Sequence, residues 1–199
     1  MISKDGGDGI VRSGDSLRTT LSMFTGSDGH EANSADGDLV RATTTLHRDG
    51  EKIFESKDDL RSTTFPLALE DSEYTLTTSQ VRADTGKFRV GTRIDAARTF
   101  RSKTGDTGDV AASAVRFHPD ADLSSTAKAY RPLLMPYEIQ GSAAGDNLKS
   151  LKVEASYDGG KRWVAAPIVL GKVAVLAPAA GKDITLCATI VDRQGTRRS

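Results

Sequence analysis

Three histidines, His30, His47 and His118, and one cysteine, Cys187, are the side chains of this 199-residue chain best suited to acid–base, nucleophilic or metal chemistry. Their settings argue against that use. His30 follows Gly26-Ser27-Asp28-Gly29 and precedes Glu31 in a long polar loop, where one histidine among irregularly spaced acids falls short of a metal-ligand pattern. Asp5-Gly6-Gly7-Asp8-Gly9 offers oxygens of the kind calcium takes, without the longer Asp/Asn ladder and closing Glu of an EF-hand loop. Cys187 lies within Ile184-Thr185-Leu186-Cys187-Ala188-Thr189-Ile190, a strand-like run in which a free thiol serves as a small core residue; a single cysteine also excludes an intrachain disulfide. Gly-rich phosphate loops, Cys/His clusters and basic stripes with interleaved aromatics are absent. No catalytic, cofactor-binding or metal-binding residue is assigned, and no cofactor is expected.

The most informative stretch is Ser156-Tyr157-Asp158-Gly159-Gly160-Lys161-Arg162-Trp163, which fits the Ser-X-Asp-X-Gly-X-X-Trp pattern of an Asp-box. The Asp carboxylate can accept backbone N–H groups across a tight turn, glycine supplies the positive φ the turn needs, and the Trp ring is carried to the returning strand. Ser156, Asp158, Gly160 and Trp163 are therefore assigned a structural role, with Trp163 expected to pack inward as a buried anchor. Tyr74, Tyr130, Tyr137 and Tyr157 are read as core or edge residues. Asp-boxes recur in sialidase propellers, but a propeller needs several repeats of about 40–50 residues, and this chain has no such period.

Strands must position that turn. Val40, Ala42, Thr44 and Leu46 alternate ahead of Asp49-Gly50, a hairpin signal leading to Ile53 and Phe54. Leu17–Phe24, Phe65–Leu69, Tyr74–Val81 and Phe88–Ile94 read as further strands, with Pro66 favouring an edge. Val115–Phe117, Leu133–Ile139, Leu151–Tyr157, Val173–Ala177 and Ile184–Val191 follow, with a turn over 179–183, and no stretch shows the period of an amphipathic helix. The expected fold is all-β: two tandem antiparallel β-sandwich domains of immunoglobulin or fibronectin type. Their expected bounds are a flexible segment over 1–15, a first domain over 16–103, a Gly/Thr/Asp-rich linker over 104–111 and a second domain over 112–199.

Length allows two cores of about 100 residues each. Lys plus Arg equals Asp plus Glu at 27 each, so no net field draws the chain to nucleic acid or an anionic membrane. No apolar run approaches the roughly 18 residues of a membrane span, and residues 1–5 have no signal-peptide core. Either the chain is cytosolic or its targeting segment lies elsewhere; Met1 before a Gly/Asp-rich stretch suits a fragment of a longer protein.

An ordered set of phrases resembles the C-terminal, non-catalytic region of secreted actinobacterial subtilisin-like (S8 family) serine peptidases. They are Leu46-His47-Arg48-Asp49-Gly50-Glu51, Thr99-Phe100-Arg101-Ser102, Ser113-Ala114-Val115-Arg116-Phe117-His118-Pro119, Leu151 through Trp163, and Leu186-Cys187-Ala188-Thr189-Ile190-Val191-Asp192. The resemblance covers the chain from about residue 15 onward. Arg162 stands where relatives often have Thr, and Gln194-Gly195-Thr196 replaces the usual Asn after Gly in the last strand pair. It implies an accessory, non-enzymatic region that stabilises, spaces or presents substrate to an N-terminal peptidase domain of the same precursor, outside the cell. The Gly-Thr-Ser and His-Gly-Thr-His settings of a subtilase triad are absent here. The alternative is a carbohydrate- or cell-surface-binding adhesion module, which would need exposed aromatic rings.

Overall fold

The structure, a computed structural model, describes residues 9–20, 23–25, 31–32, 39–60, 63–68, 70–82, 92–103, 106–110, 113–119, 127–193 and 197–198. The chain is all-β, and its strands divide into two compact units, Met1–Ala112 with Arg198, and Ser113–Arg197 with Ser199.

The first unit begins earlier than composition suggests. β1 (Ile10–Ser13) and β2 (Ser16–Thr19) form a hairpin around Gly14, whose φ of 58° at the first central position fits a type II′ turn. Residues 10–15 are thus structured, correcting the expected flexible segment over 1–15. Ile10 enters the core, and Arg12 is buried with it. The Arg12 guanidinium donates to the Ser102 hydroxyl and to the carbonyls of Gly14 and Ala68, which replaces water for the buried side chain. β3 (Phe24–Thr25) and β4 (Glu31–Ala32) pair with each other. β5 (Leu39–Arg48), β6 (Glu51–Ser56), β7 (Thr63–Pro66), β8 (Ser72–Arg82), β9 (Arg93–Ser102) and β10 (Gly108–Asp109) follow.

Two sheets result, one ordered β10-β1-β2-β7 and the other containing β9-β8-β5-β6. Pro66 lies on the outermost strand, where its missing N–H interrupts no ladder. Asp49 and Gly50 both have positive φ, 49° and 88°, the pattern of a type I′ turn whose twist matches the flanking strands. Alternation fixes the buried face of β8: Ser72, Tyr74, Leu76, Thr78 and Gln80 point inward. On β5 the buried positions are Thr44 and Leu46, while Val40 is exposed, contrary to the alternation read from sequence; a register shift between Leu39 and Arg41 breaks the pattern there. The two sheets enclose Ile10, Leu17 and Phe65 from one side and Leu46, Tyr74, Leu76 and Phe100 from the other, a sandwich core. Tyr74 stacks on its cross-strand neighbour Phe100, and Phe54 meets Phe65 edge-on. The Tyr74 hydroxyl accepts the Ala68 N–H, so its polar end is satisfied. Of the expected strand Phe88–Ile94, residues 88–91 lie outside the described residues; the strand that pairs with β8 is β9, which runs on to Ser102.

β10 falls inside the expected linker 104–111 and pairs with β1, so part of that linker belongs to the first sandwich. The second unit starts one residue beyond the expected boundary. It comprises β11 (Ser113–Phe117), β12 (Pro132–Gly141), β13 (Leu148–Ser156), β14 (Val164–Ala165), β15 (Ile168–Val169), β16 (Lys172–Leu176) and β17 (Thr185–Asp192), with a 3₁₀ turn at Gly145–Asn147. One sheet is ordered β11-β12-β16-β15; the other contains β14-β13-β17. Met135, Val173 and Val175 from the first meet Val153 and Ala155 from the second, with Ala166 closing the core where the chain crosses from β14 to β15. Arg198 of β18 (Arg197–Arg198) pairs with Arg98 and is grouped with the first unit, so the second does not run through 199 as one piece.

Candidate functional site

The turn over 156–163 joins β13 to β14, whose register sets Ala155 opposite Val164 and Glu154 opposite Ala165. The Ser156 hydroxyl, buried at the strand end, donates to Asp158 Oδ1 at 2.8 Å and accepts the Gly160 N–H at 2.9 Å. Asp158 Oδ1 also accepts the N–H groups of Lys161 at 3.0 Å and Arg162 at 2.9 Å. The Arg162 N–H, with the Ser156 hydroxyl and then the Lys161 N–H, holds the Asp158 carboxyl below its usual range, against a desolvation effect that would raise it. Gly159 and Gly160 take φ of 72° and 88°, a region costly for residues with a Cβ. Ser156, Asp158 and Gly160 therefore form one hydrogen-bonded unit.

Trp163 departs from expectation. It is 40% exposed, so the buried-anchor reading is corrected. The turn itself explains this: the indole lies over the loop, with Cζ2 3.6 Å from where a Cβ on residue 160 would sit, rather than between the sheets. Of the tyrosines read as core or edge residues, Tyr157 is 41% and Tyr130 71% exposed, which leaves neither in the core; Tyr74 is buried and Tyr137 half-buried.

Of these rings Tyr157 lines an open cleft of about 300 Å³ in the second sandwich, together with Pro132, Val164, Ala166, Val175 and Leu176 among others, and Trp163 directly precedes Val164 of that lining. Pairing of Pro132 with Leu176 brings the start of β12 to the end of β16 there, and Tyr130 is tied to the same place by its N–H to the Ala177 carbonyl at 3.0 Å. The lining offers one polar side-chain group, the Tyr157 phenol. Such a surface can hold apolar or ring-stacking groups and has little with which to orient a reaction. Periodicity could not find the cleft, because Val164 and Leu176 have the composition of core positions.

The remaining candidates are scattered. His47 is half-buried in β5, opposite Thr75 of β8 and Lys52 of β6. His118 is in the other unit, exposed, with Nε2 3.8 Å from Glu138 Oε2. His30 and residues 5–8 lie outside the described residues. Among the described residues no group of three or more His, Cys, Asp or Glu could hold a metal ion. Cys187 is half-buried opposite Glu154; burial raises its thiol above the usual range and the Glu154 charge adds to that, so it is the reverse of an activated nucleophile. No helix among the described residues is long and apolar enough to cross a membrane. No protein-family model matches the chain, and no curated protein matches it.

Proposed function

We propose that this chain is a non-catalytic accessory region of a secreted subtilisin-like serine peptidase, built from sandwiches of immunoglobulin or fibronectin type and stabilising, spacing or presenting substrate to a peptidase domain of the same precursor. The observation that carries the reading is the ordered placement of the resembling phrases on strands and turns. Leu46–Glu51 spans the β5–β6 turn, Thr99–Ser102 ends β9, Ser113–Phe117 is β11, Leu151–Trp163 is β13 with its Asp-box turn, and Leu186–Asp192 lies within β17. The purified chain is expected to leave casein and small esters uncleaved; hydrolysis that a serine-directed inhibitor abolishes overturns the reading.

The alternative, a carbohydrate- or cell-surface-binding module, gains from the exposure of Tyr157 at the cleft and of Trp163 in the adjoining turn. Sugar recognition also needs polar groups aimed at hydroxyls, and the Tyr157 phenol is the one side chain of the lining that supplies any. The accessory reading therefore ranks first. Polysaccharide pull-down that is lost in a folded Trp163→Ala variant would reverse the order.

A further inference from the structure

We propose that the cleft at the 156–163 end of the second sandwich docks an extended polypeptide segment that is apolar and negatively charged. This deepens the substrate-presenting part of the accessory reading by giving the presented chain a chemistry.

The observations converge on one occupant. The floor is apolar, from Pro132, Val164, Ala166, Val175 and Leu176, the Tyr157 ring gives a flat face against which side chains can pack, and the exposed Trp163 immediately precedes Val164 in the chain. The exposed charges beside it are predominantly positive. Lys128 and Arg131 precede Pro132, and Lys161 and Arg162 precede Trp163; all four are exposed, and no acid is paired with them among the described residues. Among the described acids of the adjoining strand and turn, Glu154 is neutralised by an ion pair and Asp158 keeps one negative charge against the four cations. Asp158 is held by the N–H groups of Lys161 and Arg162, and Glu154 pairs with Lys152 at 2.8 Å. A concave apolar surface bordered by an excess of cations complements an acidic, apolar partner and repels a basic one.

The backbone narrows the choice to an extended peptide. Among the described residues β14 is the outermost strand of its sheet, so the outward side of Val164–Ala165 has no described strand neighbour, and neither position carries a charged side chain. A peptide laid along that edge gains main-chain hydrogen bonds of the kind used in strand addition, which a glycan does not offer in the same spacing. Pro167 ends this edge after three residues and limits the added ladder to a short piece, leaving the rings and cations to supply most of the recognition.

The test uses the full chain. Trp163 is the sole tryptophan and adjoins Val164 of the lining, so its emission reports on the turn beside the cleft. A fluorescein-labelled peptide of alternating glutamate and valine is titrated by anisotropy and by Trp163 emission, alongside the same peptide with lysine for glutamate and oligosaccharides of xylan and chitin. Expected are binding of the acidic peptide with a change in Trp163 emission, weakening as salt rises, and a loss of roughly tenfold or more in affinity in the Arg131→Glu, Arg162→Glu double variant. Val164→Asp, at a half-exposed position, should act in the same direction, with near-ultraviolet circular dichroism reporting that the fold is kept. No binding of the acidic peptide, equal binding of the lysine peptide, or unchanged affinity in the double variant each overturns the proposal. So does an emission change with the oligosaccharides and none with the acidic peptide, which assigns the cleft to sugars. Failure here leaves the hydrolysis result untouched, so the two readings fall separately.

Discussion

One oxygen atom, Asp158 Oδ1, receives the Ser156 hydroxyl and two backbone N–H groups. Because these donors favour the ionised carboxylate, the folded-state pKa lies below the unfolded value near 3.8. The sign of the linkage follows: the stabilisation is fully present above the unfolded pKa and is lost as pH falls from there through the folded value. Asp158→Asn should therefore melt below the wild type at neutral pH, and the gap should close on acidification below about pH 4. Melting temperature measured against pH checks this; a gap that stays constant into strong acid would mean that shape, not charge, sets the turn. Trp163 shows where residue-scale reading stops. Its pattern was legible, yet the positions of Ser156 and Asp158 dictate the loop, and the loop leaves the indole outside the core. Arg12 shows the converse: it falls in the segment 1–15 expected to be flexible, and three acceptors distant in sequence or hidden in backbone make it a buried residue.

Two hairpins use the same turn geometry with different chemistry. Asp49-Gly50 and Leu170-Gly171 both place two positive-φ residues between paired strands, with Val169 opposite Lys172 closing the second. Aspartate tolerates the left-handed region through local hydrogen bonding, and Asp49 does bond across, its carboxylate accepting the Glu73 N–H at 3.0 Å. Leucine has no such compensation, and Leu170 is 96% exposed, so packing does not repay it either. Leu170→Asn should raise stability by about 1 kcal/mol, seen as a higher denaturant midpoint with an unchanged slope. A lower midpoint would show that Leu170 is held by a partner group. At this scale the sequence was most readable where side-chain period and turn chemistry coincide, as in β8, β12 and the Asp49-Gly50 hairpin. β10 was hidden because a ladder is made by backbone groups, and a Gly-Asp pair can join one while reading as linker. The end of β9 was hidden because Ala96, Ala97 and Arg98 blur its alternation.

Across the whole molecule the apolar interior forms two clusters, one from residues of 10–100 and one from residues of 135–175. Each is built from strands of its own unit. Residues 1–112 and 113–199, expressed separately, should therefore each unfold cooperatively with dispersed amide resonances. A piece that binds hydrophobic dye and lacks a cooperative transition would show that its core is not self-sufficient. The count of two and the all-β class followed from length and strand spacing, whereas the boundaries shifted because segments rich in Gly and Asp still supply strands. The pairing that exposed that shift has an engineering corollary. Val11 faces Asp109 across adjacent strands, so the first sandwich takes in its chain and hands it on at neighbouring points. Such a unit can be spliced into a surface turn of a host protein as a cassette, parting the host's chain by little more than the width of one strand pair, roughly 5 Å.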